Sequence, residues 1–128
     1  MRLAPIVMVP VKVRGGRGGA AVDMALDTGA TLCVIPPDVA EAVGATPAPD
    51  ARSVRVWSAT SVERKPVVRL RDISAMGVQL HDVAAVCHEL PEGSRVDGLL
   101  GLSFLRHLNL DLHFRANRLR AWYPAADP

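Results

Sequence analysis

Apolar side chains recur at every second position in several segments of the chain, and this spacing constrains the fold more than any other feature of the sequence. The alternation runs through residues 20–26, 108–114 and 118–123. A period of two is typical of β-strands that bury one face. Helical spacing is confined to two short segments, residues 36–44 and 102–108. The sequence therefore predicts an all-β, small closed barrel-like domain with one or two short helices.

Length and composition limit the classes of function. With 128 residues, of which 49% are hydrophobic, we expect one domain over residues 1–128. The net charge is only +2 and 4% of residues are aromatic, so neither a basic stripe nor an aromatic platform favours a nucleic-acid partner. We also expect no membrane segment in this chain, because no apolar run is long enough, and the start of the sequence lacks a signal-peptide pattern. Two cysteines are too few for a disulfide framework, so we expect a cytoplasmic location.

Four glycines in "RGGRGG", residues 14–19, predict the turn of a hairpin over residues 3–27. We expect these glycines to supply the positive φ values of a tight reversal. An RGG-type nucleic-acid tract and a phosphate-binding loop are the alternatives. The segment lacks the Lys-Ser/Thr pair of a P-loop and is not repeated, so the turn is favoured.

Two short helices are predicted from end signals. In "PPDVAEAVG" a proline falls in the first turn and Gly44 marks the stop. In "LSFLRHL" we expect Ser103 to be the N-cap. The inward-facing residues of this second helix are then Phe104, Leu105 and Leu108.

A second hairpin is predicted over residues 53–70, where two strand-like arms flank the small polar residues Ser58–Ser61.

Asp27 ends an apolar alternation, which is an unusual position for a carboxylate. An ionised carboxylate beside a buried strand is costly unless something compensates it. Thr28 and Gly29 follow directly. The tripeptide alone is a weak signal, since an aspartate at a strand end also fits a simple turn. Here an apolar segment and a helix follow the tripeptide, and "DGLLG" at residues 97–101 leads into the second helix.

This ordered set of motifs resembles the retropepsin-like aspartic proteases, the retroviral type and its bacterial relatives, over residues 20–122. The resemblance implies that Asp27 is the catalytic aspartate. It implies that Thr28 holds two loops together across a dimer axis and that Gly29 lets the backbone turn under the carboxylates. It also implies a structural element that crosses beside this loop near the core, formed by Leu99, Leu100 and Gly101.

The resemblance further implies that the hairpin of residues 53–70 is a flap over the active site. Many relatives have a glycine near the flap tip, whereas this segment has none. The substrate-binding residues are then expected beside the cleft and at the flap tip, and they are Ala30, Trp57, Ser58, Ala59, Thr60 and Ser61. For Trp57, a place in the core or in an interface is the alternative.

The number of aspartates decides the oligomeric state that we expect. Aspartic-protease chemistry needs two carboxylates that share one proton, and this chain has one D-T-G. The second carboxylate must then be Asp27 of another copy, so we expect a homodimeric endopeptidase acting on a peptide or protein substrate without metal or cofactor. The alternative is a catalytically silent homodimeric module of the same fold that binds peptides or serves as a scaffold.

Other titratable residues have competing interpretations. Cys33, Cys87 and the histidines could be combined into a zinc site, but no C-x2-C or H-x3-H spacing is present. Asp97 fits either a hydrogen bond that orients the neighbouring loop or a simple turn.

Overall fold

The computed structural model describes residues 7–47, 49–57 and 60–124. Within these ranges the chain forms nine strands and two short helices. In chain order they are β1 (Met8–Arg14), β2 (Gly19–Leu26), β3 (Cys33–Ile35), α1 (Pro37–Val43), β4 (Ser53–Trp57), β5 (Val62–Ala75), β6 (Val78–Cys87), β7 (Gly98–Leu100), α2 (Leu102–Leu105), β8 (Asn109–His113) and β9 (Arg118–Trp122).

Six strands close into a barrel in the order β1, β2, β7, β3, β6, β5, and β5 returns to pair with β1. The predicted all-β barrel with short helices is confirmed. Alternation of inward and outward side chains along the strands produces the core of the barrel. In β1, for example, Val9, Val11 and Val13 are buried while the residues between them are exposed. Each apolar side chain buried in this way contributes about 1.5–3 kcal/mol to folding.

In the turn between β1 and β2, Gly15 is required because a side chain would have no space there. The hairpin is confirmed, but the expected positive φ values are wrong, since the glycines with positive φ in the described ranges are Gly44, Gly77 and Gly93. A Cβ atom at Gly15 would collide with the carbonyl oxygen of Val43 at the end of α1. The amide of Arg17 donates to the same oxygen at 2.9 Å. The turn therefore packs directly on the C-terminal end of α1.

Helix α1 follows its predicted end signals. It begins at Pro37 and is followed by Gly44, whose φ of 76° lies in the left-handed region that glycine tolerates. Neither α1 nor α2 is long and apolar enough to cross a membrane, and they are the helices of the described ranges.

Helix α2 differs from its prediction at Ser103. Gly101 occupies the N-cap position without a side-chain cap, so the expected N-cap role of Ser103 is wrong. Ser103 is buried inside the helix, where its hydroxyl accepts from the Cys33 amide and donates to the Ala84 carbonyl, both at 2.8 Å. One side chain thus connects α2 with β3 and β6. As predicted, Phe104 and Leu105 are buried.

The predicted hairpin of residues 53–70 is formed by β4 and the first part of β5. Its register runs from Ser53 opposite Pro66 to Trp57 opposite Val62. In the described ranges β4 pairs with β5 alone, so its other edge is open.

Strands β8 and β9 form a separate two-stranded sheet. The predicted alternation holds in β9, where Leu119 and Ala121 are half-buried between exposed residues. It does not hold in β8, where Leu110, Asp111 and Leu112 are all half-buried, nor at Phe114, which follows β8 and is 72% exposed.

An ion pair links β1 and β5, the two strands whose pairing closes the barrel. Arg14 on β1 lies opposite Asp72 on β5, and its Nε donates to both carboxylate oxygens of Asp72 at 3.0 and 2.8 Å. The Asp72 side chain is 2% exposed. The hydrogen bonds from Arg14 hold the pKa of the Asp72 carboxyl below its ordinary value. A carboxylate with a lowered pKa stabilises the fold above the unfolded pKa of about 3.9, and this stabilisation is lost as pH falls through the folded pKa.

We expect the Asp72→Asn variant to melt about 5 °C or more below the wild type at neutral pH, because a buried charge-assisted contact is weakened. The difference between the two proteins should shrink as pH falls below about 4, where the unfolded carboxyl takes up its proton, and should vanish below the lowered pKa of the folded Asp72 carboxyl. Thermal melts at a series of pH values measure both effects. Asp82→Asn is the matched control, because Asp82 forms an ion pair with Arg69 in which both side chains are exposed. Equal losses in the two variants would contradict a special role for the buried pair.

Candidate active site

Asp27 follows β2 and begins a tight turn. Its amide donates to the carbonyl oxygen of Leu100 at 3.0 Å, which extends the parallel pairing of β2 with β7. Its Oδ1 accepts from the Gly29 amide at 2.9 Å, and the Ala30 amide donates to the Asp27 carbonyl at 3.3 Å. Thr28 and Gly29 are exposed and Asp27 is half-buried. The carboxylate is therefore held by its own turn and stays partly open to solvent.

Nothing in the described part of the chain neutralises Asp27. The ion pairs found there are Arg14–Asp72, Lys65–Glu63, Arg69–Asp82 and His113–Asp111. Asp27 takes part in none of these pairs.

Two glycines let β7 approach the Asp27 turn. A Cβ atom at Gly101 would lie 2.6 Å from the Leu32 carbonyl oxygen and 2.7 Å from that of Ala30. The next amide, that of Leu102, donates to the Ala30 oxygen at 2.8 Å. A Cβ atom at Gly98 would collide with the Val34 carbonyl oxygen. The structure thus places Leu99, Leu100 and Gly101 beside the Asp27 turn.

Asp97 aligns β7 with β2. Its carboxylate accepts from the Asp23 amide at 2.9 Å, and its own amide donates to the Asp23 carbonyl at 2.6 Å. Of the two interpretations of Asp97, the loop-orienting hydrogen bond is the one observed. The contact lies one residue before the paired positions Met24 and Gly98, so it sets the register that leads to Asp27.

A groove of about 520 Å³ opens beside the Asp27 turn. Its lining includes residues 29–32 and residues 54–57 of β4. Its remaining lining is apolar and consists of Val34, Val86 and Leu99. This volume and the mostly apolar lining are within the range of sites that bind small ligands.

The structure places some of the predicted substrate-binding residues at the groove and others away from it. Ala30 and Trp57 both line the groove. Trp57 is 73% exposed, so the core alternative for this residue is wrong. Thr60 and Ser61 are exposed, and neither is among the described lining residues. Ser58 and Ala59 lie outside the described residues.

Arg55 is a lining residue that sequence reasoning missed. It is the one charged side chain among the described residues of the groove. The signal was present in the alternation of β4, because Arg55 shares a strand face with Trp57.

Both cysteines are buried and free. Burial raises the pKa of the Cys33 thiol and that of the Cys87 thiol, so both remain protonated packing groups near neutral pH. In the described part of the chain, no group of three or more histidine, cysteine or acidic side chains is arranged to hold a metal ion.

The closed barrel, with an Asp-Thr-Gly turn beside a short Gly-Leu-Leu-Gly strand, defines a retropepsin-like aspartic protease fold. The structure is similar to the crystal structure of a retropepsin-like aspartic protease from Rickettsia conorii, with a TM-score of 0.65 and 13% sequence identity over 91% of this chain and 89% of that chain. The family model for aspartyl proteases matches residues 9–104. This chain belongs to the aspartyl protease family. A comparison with curated proteins found no match.

Proposed function

We propose that the protein is an aspartic endopeptidase that acts as a homodimer and uses Asp27 from each copy. The observation that carries this proposal is the position of Asp27, which is fixed in a tight turn, half-buried, and adjacent to an apolar groove. A positioned carboxylate beside a peptide-sized groove has the geometry that acid–base hydrolysis needs.

The second copy follows from the charge on Asp27. Two carboxylates that share one proton can supply a base and an acid together, as in aspartic proteases generally. One chain contributes one such aspartate, and a two-fold axis beside the exposed Thr28 and Gly29 brings two of them together without further residues. The shared proton then provides the compensation for Asp27 that the single chain lacks.

In the proposed reaction the ionised Asp27 takes a proton from a water held between the two carboxylates. That water attacks the peptide carbonyl carbon, while the protonated Asp27 donates a hydrogen bond to the carbonyl oxygen. Proton transfer to the leaving nitrogen then breaks the C–N bond. Asp97, Gly98 and Gly101 act as positioning residues, because they fix β7 against the turn that carries Asp27.

The open edge of β4 provides a way to hold the substrate. An extended peptide in the groove can pair its backbone with that edge, as peptides do at free sheet edges. We propose that the β4–β5 hairpin serves as the flap. Its exposed arms bury little apolar surface, so their movement costs little free energy.

Mixing wild-type protein with the Asp27→Asn variant tests the shared site. Where the chains exchange freely, cleavage of a peptide pool should fall with the square of the wild-type fraction, to about one quarter in an equal mixture. A site contained in one chain would give about one half. Mass spectrometry of the products measures the cleavage.

Asp50→Asn is the matched control for mixing, because Asp50 is an exposed turn residue. Its mixtures should keep full activity. A linear loss with Asp27→Asn would contradict the shared dyad. Peptide binding by a wild-type dimer that cleaves nothing would instead favour the silent peptide-binding module.

A further inference from the structure

We infer that Arg55 makes the groove selective for peptides that carry an acidic side chain. This inference rests on the proposed peptide-binding function of the groove. It adds a chemical class of substrate that neither the fold nor the dyad specifies.

The first argument is the charge on the groove wall. Arg55 is exposed, and the other described lining residues are uncharged. In the described ranges no ion pair engages Arg55. The one acidic residue of the hairpin, Glu63, is bound to Lys65 at 3.0 Å, and Arg69 is bound to Asp82 at 2.8 Å. The hairpin therefore offers a free guanidinium at the groove and no carboxylate for it.

The second argument is the residue across the hairpin. Arg55 lies directly opposite Arg64, on the same face of the two strands. Like charges in this position destabilise a hairpin. Arg64 donates to the Ser53 hydroxyl at 3.1 Å, a neutral partner that leaves both positive charges in place. A carboxylate bound at Arg55 would relieve this repulsion, so an acidic ligand gains more here than at an isolated arginine.

The alternation of β4 specifies where the acidic residue would be. Val54 and Val56 are half-buried, whereas Arg55 and Trp57 are exposed on the opposite face. Side chains of a peptide paired with this edge alternate in the same way. The acidic residue should therefore be an odd number of positions from the apolar residue that contacts Val34, Val86 and Leu99.

A peptide pool tests the inference in two independent ways. Wild-type protein cleaves the pool, and immobilised Asp27→Asn protein captures peptides from it. In both experiments we expect Asp and Glu to be enriched at one position. Replacing that residue by Gln in a single peptide should raise KM and lower kcat/KM by about tenfold, and added salt should reduce this difference.

Charge reversal provides the decisive variant. Arg55→Glu should replace the acidic preference with a preference for Lys and Arg, while Arg52→Glu, at an exposed residue just before β4, should leave the profile unchanged. Cleavage without acidic enrichment, or an acidic preference that survives in Arg55→Glu, would overturn the inference alone. Capture of acidic peptides by a protein that cleaves none would overturn proteolysis and keep the inference. A protein that neither captures nor cleaves peptides would overturn both.

Discussion

The Asp27→Asn variant is expected to lose peptide cleavage, with kcat/KM at least about 10⁴-fold below the wild type. The change removes a general acid and a general base together, since symmetry places it in both copies, and each role is worth about 10²–10⁴-fold. The fold should survive, because an asparagine Oδ1 can still accept from the Gly29 amide. Cleavage assays and thermal melts of the same preparations measure the two properties. Cleavage by the variant at the wild-type rate would contradict the mechanism.

The same variant should change how pH affects dimerisation. Two carboxylates at one axis bind their shared proton more tightly than separated chains do, so loss of that proton at higher pH weakens the wild-type dimer. The Asn variant has no such proton and should lose this dependence. Wild-type cleavage should fall on both the acid and the alkaline side, because only the singly protonated pair is active. Sedimentation across pH tests the linkage, and an unchanged pH dependence in the variant would contradict the shared proton.

The Gly101→Ala variant is expected to lose about 3 kcal/mol or more of folding free energy. The dihedral angles of Gly101, φ −101° and ψ −168°, are open to any residue, so the effect is purely steric. The added methyl group would meet two backbone carbonyl oxygens, and backbone yields less readily than a side chain. Any folded fraction should cleave about 10²-fold more slowly, because the Asp27 turn is displaced. Denaturant unfolding and cleavage assays measure the two effects.

Gly18→Ala is the matched control for Gly101. A Cβ atom at Gly18 meets nothing within 4 Å, so we expect a change in unfolding free energy within about 0.5 kcal/mol. Equal tolerance of the two substitutions would show that β7 does not need its close approach to the Asp27 turn.

Local patterns were sufficient to predict the hairpins of residues 3–27 and 53–70, the strand segments near β8 and β9, and the position of α1. Period-two alternation depends on neighbouring residues, and the stop at Gly44 depends on its own backbone angles. The place of Asp27 at the end of β2 was also readable, because a polar residue interrupts an apolar alternation there. These features are determined within a few residues of the chain.

The errors and omissions concern contacts between distant segments. Ser103 bonds to Cys33 and Ala84, and no local pattern distinguishes that role from an N-cap. Gly15 is required by the end of α1, not by its own φ angle. The pairing of Arg14 with Asp72 spans 58 residues of sequence. Tertiary packing selects these side chains, so a single sequence does not reveal them.

The hydrogen bond from the Asp27 amide to the Leu100 carbonyl also determines when the site comes into existence. During synthesis Asp27 leaves the ribosome long before β7 does, and until then its turn has neither the acceptor nor the neighbouring strand that fix it. Closing so long a loop is also a late and slow event in folding. A growing chain therefore carries the aspartate without an ordered turn around it, and the positioned carboxylate is gained only after residues 98–100 have been made and have reached β2.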